Sequence, residues 1–145
     1  MISINYDIND QSRAFSYWRL LGTGAKPPLE IGINTNTGTI KSITVFVDAD
    51  CFVKDNFKPD VVHNGNVIVD AAIFKNENDY VDAEGEYYIT ESHNKLTCIF
   101  GLHRRILESI GNNRVRFLID NNNGLCGFDI HGLEENEVKH IESVK

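Results

Sequence analysis

Leu29–Val47, LEIGINTNTGTIKSITVFV, is the stretch whose reading decides the fold. Leu29, Ile31 and Ile33 alternate with Glu30, Gly32 and Asn34. A period of two marks a strand buried on one face. Asn34-Thr35-Asn36-Thr37-Gly38 then breaks the run with turn-forming residues, and Gly38 is expected at positive φ. The apolar pattern resumes at Ile40 but continues at Ile43, Val45 and Val47, so its parity switches near Lys41-Ser42. A regular strand cannot change faces, because a one-residue shift reverses every side chain. A β-bulge can.

The chain writes this pattern a second time. In Val115–Ile130, VRFLIDNNNGLCGFDI, Val115, Phe117 and Ile119 lead into Asp120-Asn121-Asn122-Asn123-Gly124. Leu125 is odd while Phe128 and Ile130 are even, which places a second bulge at Cys126-Gly127. Pairing Gly38 with Gly124 requires one gap near Thr39 and predicts positive φ at both glycines.

Around these hairpins, Ile2, Ile4 and Tyr6 read as a first strand. Gln11–Leu21 is open between a short helix and an irregular loop, and 48–60 reads as a loop with Pro59 against a central strand. Val67–Phe74 is expected as a buried strand, and Asn76–Glu86 as a polar loop. Tyr87–Thr90 and Leu96–Phe100 form a hairpin around Ser92-His93-Asn94 without a turn glycine. Leu102, Ile106 and Ile110 recur every four residues, which predicts a short helix over Leu102–Ile110 stopped at Gly111. Leu133–Ile141 has acids first and Lys139 and His140 last, the polarity of a short helix. The expected fold is mainly β, with α+β as the alternative. It is an antiparallel sheet or sandwich of about eight strands with two or three short helices, in a single domain over residues 1–145.

A length of 145 residues is enough to bury a core. No apolar run approaches the ~20 residues of a membrane span. The opening residues carry neither a basic leader nor an apolar stretch, so no secretory signal is read. Cys51, Cys98 and Cys126 lack a C-x-x-C spacing and are expected as free thiols in a reducing, cytoplasmic compartment. The net charge of −7 is uneven: eight acids face seven bases over residues 1–75, and thirteen face seven over 76–145. Such a balance argues against a nucleic-acid partner, which wants clustered Lys and Arg.

The chemistry-bearing candidates are few. Over Asn76–Glu91 the acids Glu77, Asp79, Asp82, Glu84, Glu86 and Glu91 occur with no Lys or Arg, and Tyr80, Tyr87 and Tyr88 are interleaved. One reading is a solvated loop. A second is a docking surface for a basic protein partner, with Glu77, Asp79, Tyr80, Asp82, Glu84 and Glu86 as the contacts. A third is a Ca²⁺ loop around Asp82-x-Glu84-Gly85, although its acids stand at the wrong offsets. His63, His93, His103, His131 and His140 form no ligand pair, and no metal or other cofactor is expected. The basic concentration of His103-Arg104-Arg105, Arg114 and Arg116 is expected to pair with the protein's own acids. No G-x-S-x-G and no P-loop lysine occurs, so no catalytic residue is named and enzyme activity is not expected.

At LEIGINTNTGTIKSITVF and IDNNNGLCGFDI the chain resembles small bacterial immunity proteins that neutralise polymorphic or contact-dependent toxins. That resemblance covers about a third of the chain and implies an inhibitor that binds a cognate toxin domain; it carries over no functional residue. The leading expectation is therefore a non-catalytic binding protein for a basic partner. The rivals are a small-ligand carrier with a β-lined pocket near Phe15 and Trp18, and an enzyme whose site is assembled from scattered residues.

Overall fold

The computed structural model describes residues 1–7, 13–24, 26–76, 78–102, 105–112 and 114–145. Among them the strands are β1 (Ile2–Asp7), β2 (Phe15–Leu21), β3 (Leu29–Asn34), β4 (Ile40–Val47), β5 (Val61–Asn64), β6 (Tyr80–Glu84), β7 (Tyr87–Ser92), β8 (Lys95–Phe100), β9 (Ile106–Gly111), β10 (Val115–Asp120) and β11 (Leu125–Ile130). One α-helix, α1 (Glu135–Glu142), closes the described chain. The residues divide into two compact units, Ile2–Phe46 with Val67–Glu86, and Met1 with Val47–Asn66 and Tyr87–Lys145.

The mainly β class is as expected, but among the described residues the strands number eleven and the sheets are mixed. The first unit holds the order β1-β4-β3-β2-β6, and the second β5-β9-β10-β11-β8-β7. β6 runs parallel to β2, and β5 runs parallel to β9. Parallel neighbours cannot be joined by a tight turn. Both pairings therefore join distant stretches of chain, which local periodicity does not reveal.

The two hairpins stand where the sequence places them. In β3–β4, Gly32 pairs with Ser42 and Ile33 with Ile40, so Lys41 is the extra residue. In β10–β11, Leu118 pairs with Gly127 and Ile119 with Leu125, so Cys126 is the extra residue. Beyond the bulges Ile43, Val45, Phe128 and Ile130 are all buried. Each such side chain contributes about 1.5–3 kcal/mol when removed from water. That reward is what holds the register on either side of the irregularity.

The turns differ from the expected alignment. Gly38 has φ +76, as predicted, but in the second turn the left-handed residue is Asn123, at φ +60. Asn34 donates its backbone N–H to Thr39 O, whereas Asp120 donates its own to Gly124 O. The second loop is one residue shorter, so Asn123 corresponds to Gly38 and Gly124 to Thr39. The missing residue lies inside the turn rather than after it. Asn takes the left-handed region more readily than other side chains do, which makes the exchange tolerable.

Four other expectations change. Gln11–Leu21 yields strand β2 from Phe15. The helix expected over Leu102–Ile110 is strand β9. In it Ile119 pairs with Glu108 and Asp120 with Ile106, leaving Leu107 as a bulge. That extra residue moves Ile110 off the buried face that Ile106 and Ser109 share, so the spacing of four from Ile106 to Ile110 is not a helical stripe. Val67–Phe74 is not a strand: Ile68 makes a single bridge to Thr39, and Asp70 accepts from Ala72 N to start a short 3-10 turn, Ala71–Ile73. The polar loop at 76–86 contains strand β6.

The hairpin at 87–100 is borne out, with His93 at φ +49 and Asn94 at +61 forming its two-residue turn. The tail helix is also borne out: Glu134 N donates to Glu137 Oε1 at 3.0 Å at its start. None of the three cysteines is in a disulfide, and all three are buried. Among the described residues no helix is long and apolar enough to cross a membrane.

Candidate functional site

β6 explains the form of the acidic run. Its residues alternate in exposure, so Tyr80, Asp82 and Glu84 face outward while Val81 and Ala83 are half-buried. The parallel register sets Tyr17 beside Tyr80, Arg19 beside Asp82 and Leu21 beside Glu84. The Tyr17 and Tyr80 rings stack with centroids 5.3 Å apart and planes 18° from parallel. The Arg19 guanidinium lies 4.5 Å above the Tyr80 ring and grips Asp82 with both arms, at 2.7 and 2.9 Å. That two-armed bond holds the Asp82 carboxyl below its usual pKa.

The six proposed contacts thus separate into different roles. Asp79 shapes the approach to β6: its carboxylate accepts from Lys75 N and Tyr80 N, and its own N–H donates to Ser16 Oγ. Glu86 accepts from both the backbone N–H and the hydroxyl of Thr23, each at 2.7 Å, and these bonds lower its pKa. Asp82 is paired with Arg19. Tyr80, 51% exposed, and Glu84 remain as outward-facing groups. Glu77 lies outside the described residues. Neither Asp82 nor Glu84 joins a metal cluster: among the described residues no three His, Cys, Asp or Glu side chains converge.

The same face carries groups that the reading of 76–91 did not include. Arg19 pairs across β2–β3 with Glu30. The Tyr17 hydroxyl is pushed to a higher pKa first by burial, then by Tyr80, Glu30 and Asp7. Glu30 and Asp7 therefore act on the two-tyrosine stack, and Arg19 beside it feels Asp82 and Glu30. The alternation of Phe15, Tyr17, Arg19 and Leu21 was the available signal. Trp18 beside Tyr17 blurred it.

The second unit holds a cleft of about 930 Å³. Residues 52–58 form one wall, with Val53 N donating to Ile89 O to fasten that segment along β7. Thr90, Glu91 and Ser92 of β7, His93 of the turn, Lys95 and Thr97 of β8, and Lys145 form the rest. Neither Phe15 nor Trp18 lines it. Four lysines, Lys54, Lys58, Lys95 and Lys145, meet two acids, Asp55 and Glu91. The Glu91 side chain is 8% exposed and stands 3.4 Å from Lys145 Nζ. Burial raises its pKa, against the opposing pull of Lys145.

Next to the cleft, Thr97 donates to Asp129 Oδ1, and His131 Nε2 lies 3.6 Å from Asp129 Oδ2. This is not a nucleophile poised on a base. The hydroxyl spends its proton on the carboxylate, and Thr97 and Asp129 face each other across β8–β11 as a buried cross-strand pair. Of the three described arginines of that concentration, two pair with acids as expected and one does not. Arg105 pairs with Asp60 and Arg114 with Glu137, while Arg116 bonds His63 O and Asn64 Oδ1 instead of an acid. Arg104 and His103 lie outside the described residues. No protein-family model and no curated protein matches the chain.

Proposed function

We propose that this is a non-catalytic binding protein that docks a basic protein partner on the outward face of β6 and β2, most concretely as a toxin-neutralising immunity protein. The observation that carries the reading is the row Tyr80, Asp82 and Glu84 on an outermost strand, backed by Tyr17 and Glu30. Stacked tyrosines offer rigid amphipathic area at little entropic cost, and the acids around them attract and orient a cationic surface. The resemblance of the two hairpins to immunity proteins supplies the concrete form of the proposal. Nucleic acid and membrane are not partners in this reading.

The discriminating variant leaves the internal bonds of Asp79, Asp82 and Glu86 alone. Tyr80→Ala with Glu30→Arg and Glu84→Arg should fold, yet capture the basic partner from a host lysate at least ~10-fold less well. Wild-type association should slow as salt rises, because exposed charges act over a screening length of about 8–10 Å. Equal capture by both proteins, with a salt-independent on-rate, would reject this surface.

A further inference from the structure

The cleft of the second unit has a chemistry opposite to that of the chain that builds it. In a protein of net charge −7, four lysines converge on one cavity against two acids. Glu91 is buried with Lys145 as its neighbour, so one lysine is committed to it. Asp55 is exposed and accepts from the adjacent Asn56 N. Among the described residues no acid stands within ion-pair distance of Lys54, Lys58 or Lys95. Three lysines that line one cavity without an acid at ion-pair distance make it cationic, which an incoming anion offsets.

The rest of the lining fits a small molecule. About 930 Å³ lies within the range of small-molecule sites, ~300–1,000 Å³. Phe52 and Phe57 supply apolar wall, and Thr90 and Ser92 bring hydroxyls. Among the described residues the cations lining the cavity are lysines, not arginines. Lysine binds phosphate as a point charge, and a phosphate monoester, which carries nearly two negative charges, can meet several such charges at once. His93, from the β7–β8 turn, also lines the cavity.

We infer that this cleft binds a small phosphate monoester with an apolar body, its phosphate among Lys54, Lys58 and Lys95 and its body against Phe52 and Phe57. This site is independent of the docking face on β6 and stands or falls without it.

The test is calorimetric titration of the whole chain with phenyl phosphate, inorganic phosphate and phenol at constant ionic strength. Saturable one-to-one binding of phenyl phosphate is expected, at least ~10-fold tighter than inorganic phosphate, with none for phenol. Lys54→Ala with Lys95→Ala should weaken it at least ~10-fold, and Lys139→Ala, on the exposed surface of α1, should not. Lys54→Gln with Lys95→Gln repeats the charge removal with longer stems, in case the alanine pair unfolds. Absence of saturable binding, equal affinity in the lysine-pair and Lys139 variants, or phosphate binding as tightly as its ester would each overturn the inference.

Discussion

The two sheets share one plan and apply it to different ends. In each, three consecutive strands meander antiparallel, β2-β3-β4 in one and β9-β10-β11 in the other. In each, an outer strand from elsewhere in the chain runs parallel beside the first of the three. In each, the second hairpin strand bulges at the same place. The bulged residues diverge: Lys41 extends its ammonium over the Phe15 ring at 3.9 Å, while Cys126 is fully buried with its thiol 3.3 Å from Leu118 O. A bulge adds a residue without dictating its chemistry. The same backbone device therefore supports an outward polar site in one sheet and closes a core in the other.

The largest expected difference lies at the paired glycines beside the bulges. A Cβ at Gly127 would overlap the Cys98 carbonyl oxygen, a backbone atom, and stand 3.1 Å from Ile99 Cδ1. Gly127→Ala should cost about 3 kcal/mol by denaturant unfolding. At Gly32 the obstructing atom is Ser42 Oγ, a side-chain tip. Gly32→Ala should cost only about 1 kcal/mol, and Ser42→Ala should remove most of that in a double-mutant cycle. Equal costs at the two glycines would break the comparison.

The turns come next. A Cβ at Gly38 would meet the Val69 carbonyl oxygen and also adopt positive φ, so Gly38→Ala should cost about 2 kcal/mol. Gly124 has neither constraint in that degree, its nearest atoms being the Asp120 carboxylate at 3.3 Å, and Gly124→Ala should cost under about 0.5 kcal/mol. Asp120 Oδ1 accepts from Asn122 N and Gly124 N, both at 2.9 Å, much as Asn34 Oδ1 accepts from Asn36 N and Thr37 N. Asp120→Ala should therefore cost about 1–2 kcal/mol, while Asp120→Asn should cost far less. Asn123→Gly should stabilise by at most about 0.5–1 kcal/mol.

The smallest effects concern acid. Asp82 and Glu86 in the first unit have folded pKa values below the ordinary range. Their stabilisation is present above the unfolded carboxylate pKa, about 4, and is lost as pH falls through the lower folded values. Glu91 in the second unit is raised, so its contribution has the opposite sign. Stability from Glu91 grows as pH falls through its folded pKa toward the unfolded one. Carbon-detected titration should place Glu91 above, and Asp82 and Glu86 below, the usual carboxylate midpoints. Lys145→Ala should move the Glu91 midpoint up further, because it removes the cation that opposes burial.

Legibility followed the density of alternation. Leu29-Ile31-Ile33 and Val115-Phe117-Ile119 each bury successive odd residues, and the parity switches in the sequence mark both bulges. At β9 the spacing of four from Ile106 to Ile110 fits a strand as well as a helix, and the bulge at Leu107 hides the alternation that would separate the two. β6 escaped because an outer strand buries little: Val81 and Ala83 are its only inward residues, and both are short. The acidic run was legible as a concentration of charge, but its pairing with Arg19 and its continuation through Glu30 and Asp7 depend on distant strands. The lysine cleft was not legible at all. Lys54, Lys58, Lys95 and Lys145 have no shared spacing, and only the fold brings them to one cavity.

The parallel outer strands also bear on the order of folding. Arg19 and Asp82 lie 63 positions apart in the chain, and Asp60 and Arg105 lie 45 apart. The meanders close by short turns, so their contacts form on the timescale of hairpins, about microseconds. Loop-closure entropy delays the parallel pairings. Both late strands, β5 and β6, come from the single stretch 61–84, so one segment completes both sheets. Pulsed hydrogen exchange should find amides of β3 and β10 protected in an early phase and those of β5 and β6 together in a later one. Until that segment docks, β2 and β9 would present bare edges, and it is in this interval that the chain is most exposed to aggregation.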